Sequence, residues 1–478
     1  MKVILFGTGD YYNRYKKWFE NQEVLALLDN SRQKQYMFID GIEVLPPEEC
    51  TRLDYDAIVI LSFYITQMKR QLISLGVDEN RIWHFYDLHW LLAGEAKVRP
   101  LQYFLDAEDI IADSDVKVSK ILLMSNDLTL GGPAIALFHM AVTLKRHGYT
   151  VLYASMLDGP LKEELLENRI PVVVDENLQI ATMQEREWVS SFSLLICNTL
   201  NFYVFLSERN ADIPVIWWLH EAAFFYGGVN EKVLQKINRH NLNTVTAGPV
   251  PATAIRAFLP DLLCDELLYG VADAEMEDLN IDNCAGEIDS GQRNIFKIVR
   301  FITIGFLEPR KGQDLLIHAI RSLPDGVRQR CRFYIVGHGE TLFGEQIRSE
   351  SANLEEIIFT GSVERREIHK LLSESDMLIC PSRQDPMPTV AAEAMMHSVP
   401  CMVSDATGTA AYIQDGEDGI IFPNEDVQRL ANKIEWCARN PDRLRSMGKQ
   451  ARKLYEKYFS LVAFEQHFGE LVKTVLES

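Results

Sequence analysis

The chain has no CxxC pair and no Cys–His combination at zinc spacing; its eight cysteines (50, 197, 264, 284, 331, 380, 401, 437) lie far apart along 478 residues. That excludes a disulfide framework and a zinc module, and it fits buried, reduced thiols in a cytoplasmic setting. No window approaches the ~18 apolar residues that a membrane helix needs. The opening Met1-Lys2-Val3-Ile4-Leu5-Phe6-Gly7 is too short for a secretory signal and has no small-residue cleavage site after it, so it reads as a strand. Positive charge is scarce: 48 Lys+Arg against 68 Asp+Glu leave a net charge of −20. A field of that sign repels nucleic acid and anionic lipid, so any binding of either needs a local basic patch. Short-period repeats and low-complexity segments are also lacking. What is present is an ordinary globular composition, 47% apolar and 24% charged. The length suits about three domains.

Strand–helix alternation starts three times. Residues 1–95 read as a small Rossmann-like accessory domain, with expected strands at 3–6, 24–28 and 57–62, an amphipathic stretch over 11–19 and a helix over 67–75. Residues 96–118 read as a polar connector. A second unit over 119–272 opens with a strand at 120–125, a Gly131-Gly132-Pro133 turn and a helix over 134–146. Strands are expected there at 151–154, 194–198 and 215–219. Residues 273–295 read as an acidic connector, overlapping a 261–290 run with ten acids and no Lys or Arg. A third unit over 296–460 predicts strands at 301–305, 332–336, 357–359, 377–380 and 401–404, and residues 461–478 form a last helix. Such alternation argues for an α/β protein with parallel, doubly wound sheets.

The richest stretch is Pro381-Ser382-Arg383-Gln384-Asp385-Pro386-Met387-Pro388-Thr389-Val390-Ala391-Ala392-Glu393. A strand ends, a loop carries Asp385, and a helix begins near Thr389, whose first amides make an anion site. Glu393 lies one turn further on the same helical face. Two carboxylates there suit the paired hydroxyls of a ribose or hexose. An equally open reading has Asp385 capping the loop and Glu393 as a solvated helix residue. The loop Gly305-Phe306-Leu307-Glu308-Pro309-Arg310-Lys311-Gly312 follows another strand, in a stretch (296–332) with eight Lys/Arg against three acids. Arg310 and Lys311 suit a departing diphosphate, although surface lysines more commonly serve solubility.

Residues 301–422 resemble the catalytic half of the GT-B, glycogen-synthase-like retaining glycosyltransferases (glycosyl transferases group 1). The runs GFLEPRKGQDLL, FYIVGHGE, IIFTGSVERREIHKLL, CPSRQDPMPTVAAEAM and VPCMVSDATGTAAYIQDGEDGIIF stand in that family's order. ILLMSNDLTLGGPAIALFHMAVTLKRHGYTVLYAS at 121–155 and VIWWLHEA at 215–222 resemble its amino-terminal half. The resemblance covers about 350 residues and implies two Rossmann-like domains facing a cleft. It further implies a nucleotide-diphosphate sugar as co-substrate, a glycan, protein or lipid-linked acceptor, and transfer of a hexose-type sugar with retention at the anomeric carbon, in bacterial surface polysaccharide or glycoconjugate synthesis. By that resemblance Asp385 touches donor-sugar hydroxyls, Glu393 the ribose, and Lys311 the diphosphate, with Arg310 and the amides of Thr389 and Val390 beside it. Gly131, Gly132 and Gly305 give the donor room, Gly337 and Gly339 shape the loop around the base, and Val363, Ser382 and Met387 complete the donor site. His220, at a strand's carboxyl end, reaches the donor sugar. His220, Asp385 and Lys311 are the catalytic candidates.

Three positions depart from the family pattern. Phe306 stands where an Arg is usual, Pro388 has no amide to donate, and Ala411 occupies the place of an expected Glu. No general base is assigned. Asp54-Tyr55-Asp56 and Asp113-Ser114-Asp115 precede strands, so no metal and no other cofactor is expected. In the first domain Gly7-Thr8-Gly9 with Asp29 is a partial dinucleotide fingerprint in which Tyr12 replaces the third glycine. The domain resembles those preceding some sugar-nucleotide acyltransferases, and both docking (including homo-oligomer formation) and a second ligand site stay open. Trp83, Tyr86 and Trp90 read as packing rather than sugar stacking. Nine basic residues against three acids over 429–457 suit either an ordinary solvated face or a peripheral contact with the cytoplasmic membrane face. The final helix is expected to cross back to the acceptor-side domain. Besides the transferase, two readings remain: a nucleotide-sugar-binding protein without turnover, and a nicotinamide or acyl-transfer enzyme led by residues 1–95.

Overall fold

The computed structural model describes residues 1–62, 64–92, 101–112, 119–178, 187–273 and 298–477. The acidic connector over 273–295 lies almost wholly outside the described residues, as do Asp113-Ser114-Asp115. The chain divides into two compact units, residues 1–244 with 254–262, and residues 245–253 with 263–478.

The first unit holds a six-stranded sheet made by β1 (Lys2–Phe6), β2 (Glu23–Leu28), β3 (Phe38–Ile39), β4 (Ile42–Leu45), β5 (Ala57–Ile60) and β6 (Ile82–His84). Its order is β3-β4-β2-β1-β5-β6. β1 is parallel to both β2 and β5, and only the short β3 pairs antiparallel, with β4. Val3 to Phe6 and all of β5 are buried, because helices cover both faces of a parallel sheet and leave no polar side. The amphipathic stretch near Tyr11 splits into a helix, Asp10–Tyr15, and a 3-10 turn, Lys16–Phe19, while the second helix begins two residues earlier than expected, at Ile65.

The eight-stranded sheet comprises β7 (Gln102–Phe104), β8 (Lys120–Ser125), β9 (Thr150–Ser155), β10 (Val172–Val174), β11 (Leu194–Asn198), β12 (Val215–Leu219), β13 (Leu242–Thr246) and β14 (Asp265–Glu266). Its order is β14-β13-β12-β11-β8-β9-β10-β7. β7 corrects the connector reading of 96–118: three of its residues pair antiparallel with β10 and extend the sheet. Their polarity is that of an edge strand, with Gln102 and Tyr103 exposed. The first two sheets pack within one unit: the Tyr86 hydroxyl donates to Asn201 at 2.6 Å, and Cβ atoms at Gly227 and Gly228 would strike Thr66, Ile65 and Tyr86.

The second unit carries β15 (Val299–Ile304), β16 (Cys331–Val336), β17 (Ile357–Gly361), β18 (Met377–Cys380), β19 (Cys401–Ser404) and β20 (Gly419–Phe422), in the order β17-β16-β15-β18-β19-β20. All five pairings are parallel. Its core joins Phe301 and Phe333, stacked at 5.0 Å, to the buried faces of helices Gln313–Ser322, Val427–Arg439 and Pro441–Leu454. Each of the three sheets therefore reverses strand order beside its first parallel strand: between β1 and β5, between β8 and β11, and between β15 and β18. Open α/β sheets bind ligands in such crevices, beyond the carboxyl ends of the strands.

Candidate functional site

The reversal between β15 and β18 brings the two sequence-predicted loops together. Gly312, at φ +69°, lies so close to the other loop that a Cβ would sit 2.0 Å from the Pro381 carbonyl oxygen. Arg310 accepts from the Arg383 amide at 2.8 Å through its carbonyl and donates from Nη1 to the Gln384 carbonyl at 3.1 Å. These contacts set the Lys311 ammonium 2.6 Å from the Asp385 carboxylate. Asp385 is 5% exposed, and its backbone is held by Ala406 and Gly408. Gly305 looks onto this pair: a Cβ there would lie 3.7 Å from the Lys311 stem. Gly337 follows β16, and its own Cβ would sit 2.1 Å from the Gly305 carbonyl, so its φ of +143° and its lack of side chain are both required.

Helix Thr389–Met396 starts beside Asp385, with Pro388 as its extended cap residue. The amides of Thr389 and Val390, in the first turn, have no intrahelical partner and lie at the positive end of the helix dipole. Glu393 is buried and receives Arg365 Nη2 at 2.9 Å, so it is a paired carboxylate and not a solvated helix residue. Ser382 is buried, and its carbonyl accepts from the Ser404 hydroxyl. Met387 is buried with its sulfur 3.5 Å from Thr409 Oγ1, while Val363 is half-buried after β17. Gly339 packs against Leu307 and Arg348. Phe306 is 66% exposed and meets His338 edge-on at 6.2 Å. Arg310 pairs with Glu308 at 2.5 Å.

The reversal between β8 and β11 gathers the remaining candidates. His220 follows β12 and is 4% exposed; burial lowers its pKa to about 3, so the ring is neutral. Its Nε2 is hydrogen-bonded to Asn198 Oδ1, and Asn198 Nδ2 donates to the Pro133 carbonyl at 3.0 Å. One amide thus ties His220 to the Gly131-Gly132-Pro133 turn that opens helix Gly132–Arg146. At Gly131 a Cβ would meet only Thr129 Oγ1, at 3.4 Å, and φ is −78°, so nothing inside the protein demands glycine there. Glu221 accepts from the His220 amide at 2.9 Å, and desolvation pushes its pKa up to about 7.

Sequence reasoning passed over Asn198, Glu221, Arg365 and Arg383. Arg383 donates to both oxygens of Asp314 at 2.8 and 2.7 Å and to Glu425 at 2.9 Å, clamping the Asp385 loop to the helix after Lys311. Its place inside the PSRQDP run was the available signal; Asn198, at the carboxyl end of β11, carried the same positional one. Asp54 and Asp56 both bind Lys2, at 3.2 and 2.7 Å, which accounts for that triplet structurally. Among the described residues no group of three or more His, Cys, Asp or Glu is placed to hold a metal, and no helix is long and apolar enough to cross a membrane.

Residues 293–454 match the family of glycosyl transferases group 1, residues 117–247 match glycosyl-transferase family 4, and residues 1–83 match the C2185-like N-terminal family. The alpha-D-kanosaminyltransferase of Streptomyces kanamyceticus is 22% identical over 276 residues, covering 55% of this chain and 71% of that protein. The putative colanic acid biosynthesis glycosyltransferase WcaL of Salmonella typhimurium is 26% identical over 186 residues, covering 37% of this chain and 45% of that protein, so this match spans less than half of the relative. Among solved structures, Anabaena Alr3699/HepE in complex with UDP-glucose aligns at a TM-score of 0.58 and 19% identity, over 74% of this chain and 99% of its own. The lipopolysaccharide outer core galactosyltransferase WaaB gives a TM-score of 0.58 at 13% identity, covering 74% and 99%. The fold is GT-B, preceded by a small α/β region.

Proposed function

We propose that this chain, a glycosyltransferase of group 1, moves a hexose-type sugar from a nucleotide-diphosphate donor to an acceptor with retention at the anomeric carbon, without a metal or other cofactor. The observation that carries the reading is the pair of half-buried Lys311 and buried Asp385 at the β15–β18 reversal, shortly before helix Thr389–Met396. A diphosphate there meets fixed positive charge from Lys311 and from N–H groups, the role that a divalent cation plays elsewhere. Asp385 accepts from sugar hydroxyls and Glu393 from the ribose. In transfer, the bond from the anomeric carbon to the diphosphate breaks and a bond to the acceptor oxygen forms on the same face. The acceptor's proton passes to the departing phosphate oxygen, so no side-chain base is required. His220, neutral when buried, orients the donor sugar by hydrogen bonding.

A solved relative-in-fold was crystallised with UDP-glucose, and two sequence relatives are named for colanic acid biosynthesis and lipopolysaccharide glucosyl transfer, which favours a surface glycan as the product. A lipid-linked acceptor would place the enzyme at the cytoplasmic membrane face. The basic helices near the carboxyl end then have a use, although Lys433, Arg439 and Arg452 already pair with Asp415, Glu435 and Asp273. Pro388 and Ala411 favour the second reading, donor binding without turnover, since both remove polar contacts of the family pattern. Incubation with UDP-, GDP-, dTDP- and ADP-sugars and measurement of nucleotide release separates the two. Release from one donor, lost in Lys311→Ala and with binding weakened about tenfold or more in Glu393→Ala, is the expected result. Tight donor binding without release across acceptors would replace this reading with the second.

A further inference from the structure

The transfer-site candidates lie at the β8–β11 reversal of the first unit and the β15–β18 reversal of the second, and the third reversal, between β1 and β5, is left without a task. A cavity of about 540 Å³ fills it, a volume in the range of small-molecule sites. Two glycines make it. Gly7, at φ +109°, lets the ends of β1 and β5 approach, since a Cβ would lie 2.5 Å from the Leu61 carbonyl oxygen. Gly9 lines the space and a Cβ there would meet nothing within 4 Å, although its φ of −91° suits any residue.

The polar groups are fixed in advance. Asp29, at the end of β2, accepts from the Thr8 amide at 3.2 Å, from the Thr8 hydroxyl and from the Ser31 amide at 2.8 Å. Lys34 Nζ donates to Thr8 Oγ1 at 3.2 Å. A carboxylate offers about four acceptor sites, so Asp29 retains capacity for a hydroxyl. Next to Asp29 in the chain, Asn30 exchanges amide hydrogen bonds with Gln71 at 3.1 and 2.9 Å, and both residues line the cavity. Tyr64, 45% exposed, supplies a flat aromatic face. Arg14 lines the same space; its guanidinium lies over the Tyr11 ring at 5.3 Å and 3.5 Å from Asp127, at the start of the loop leading to Gly131.

We propose that this crevice is a second ligand site, for a nucleoside phosphate: Asp29 takes the ribose, Tyr64 and the Asn30–Gln71 pair face the base, and Lys34 and Arg14 take the phosphate. The proposal stands apart from the transfer reaction. Its test is equilibrium titration of the full chain carrying Lys311→Ala and Glu393→Ala, which silences the transfer site, with AMP, UMP, GMP and CMP and with the matching nucleosides. At least one monophosphate should bind saturably, at least about tenfold more tightly than its nucleoside. Adding Lys34→Ala or Arg14→Ala should erase that difference, and Gly9→Leu should abolish binding of both. Absence of binding by all four, binding that survives Gly9→Leu, or equal binding of nucleoside and monophosphate would each overturn the proposal. If Gly9→Leu fails to fold, judged by its melting transition, the Lys34→Ala comparison decides alone. With residues 311 and 393 restored, Lys34→Ala should leave donor release unchanged, so a failed donor panel and an empty crevice are told apart.

Discussion

Lys311 and Asp385 are the pair on which the proposed site depends. Removing one partner leaves a charge in a place where water is largely excluded. Lys311 is 20% exposed, so the penalty is smaller than for a fully enclosed pair: about 1–3 kcal/mol for Lys311→Met. The double change Lys311→Met with Asp385→Asn should cost less than the sum of the singles by about 1 kcal/mol or more. Urea denaturation of the four chains closes that cycle, and simple additivity would show that the pair is not coupled. His220 and Glu221 make a second residue-scale prediction. The buried His220 ring, with its pKa lowered from 6.5 to about 3, binds fewer protons folded than unfolded, so its contribution to stability rises with pH between those values. Glu221 is raised from 4.5 to about 7, so its contribution is complete below 4.5 and is lost as pH climbs through about 7. The two oppose each other over 4.5–6.5. Glu221→Gln should therefore steepen the rise of melting temperature with pH in that window, and parallel profiles for the two chains would count against this account.

At the scale of elements, loop ends at strand reversals carry the chemistry and glycines set their spacing. Gly337 answers both demands, a φ of +143° and a carbonyl 2.1 Å from the position of a Cβ. Gly416 meets only the first, with φ +85° and open space around it. Gly337→Ala should cost roughly 3 kcal/mol and Gly416→Ala about 1 kcal/mol, and comparison of their unfolding midpoints checks the order. Much of this level was legible in the sequence. The positions of β8, β11, β12, β18 and β19 follow from continuous apolar runs, because parallel strands covered on both faces need no polar alternation. β7 was not legible, because three residues, Gln102, Tyr103 and Phe104, gain their strand character only from pairing with β10. The fate of Glu393 was equally hidden: Arg365 lies 28 residues away on another helix, and no local pattern couples them.

For the whole molecule, thiol chemistry reports whether the reduced, buried-cysteine reading is right. Cys50, Cys197, Cys331, Cys380, Cys401 and Cys437 are buried free thiols, and burial raises the pKa of each. Cys264 is half-buried. In a Cys284→Ser chain a thiol reagent should label Cys264 first and the other six only on unfolding; rapid labelling of several native thiols would contradict the packing described. The sequence by itself determined the α/β class, the repeated strand–helix rhythm and the identity of the charged loops, because hydrophobic periodicity and helix-start chemistry are local. Only the tertiary structure decided that Lys311 meets Asp385 across 74 residues of chain, that Asn198 joins His220 to the glycine turn, and that a third crevice lies at residues 7–9. Those juxtapositions depend on strand order. Strand order is set by which apolar faces bury one another, and no short window of sequence contains it.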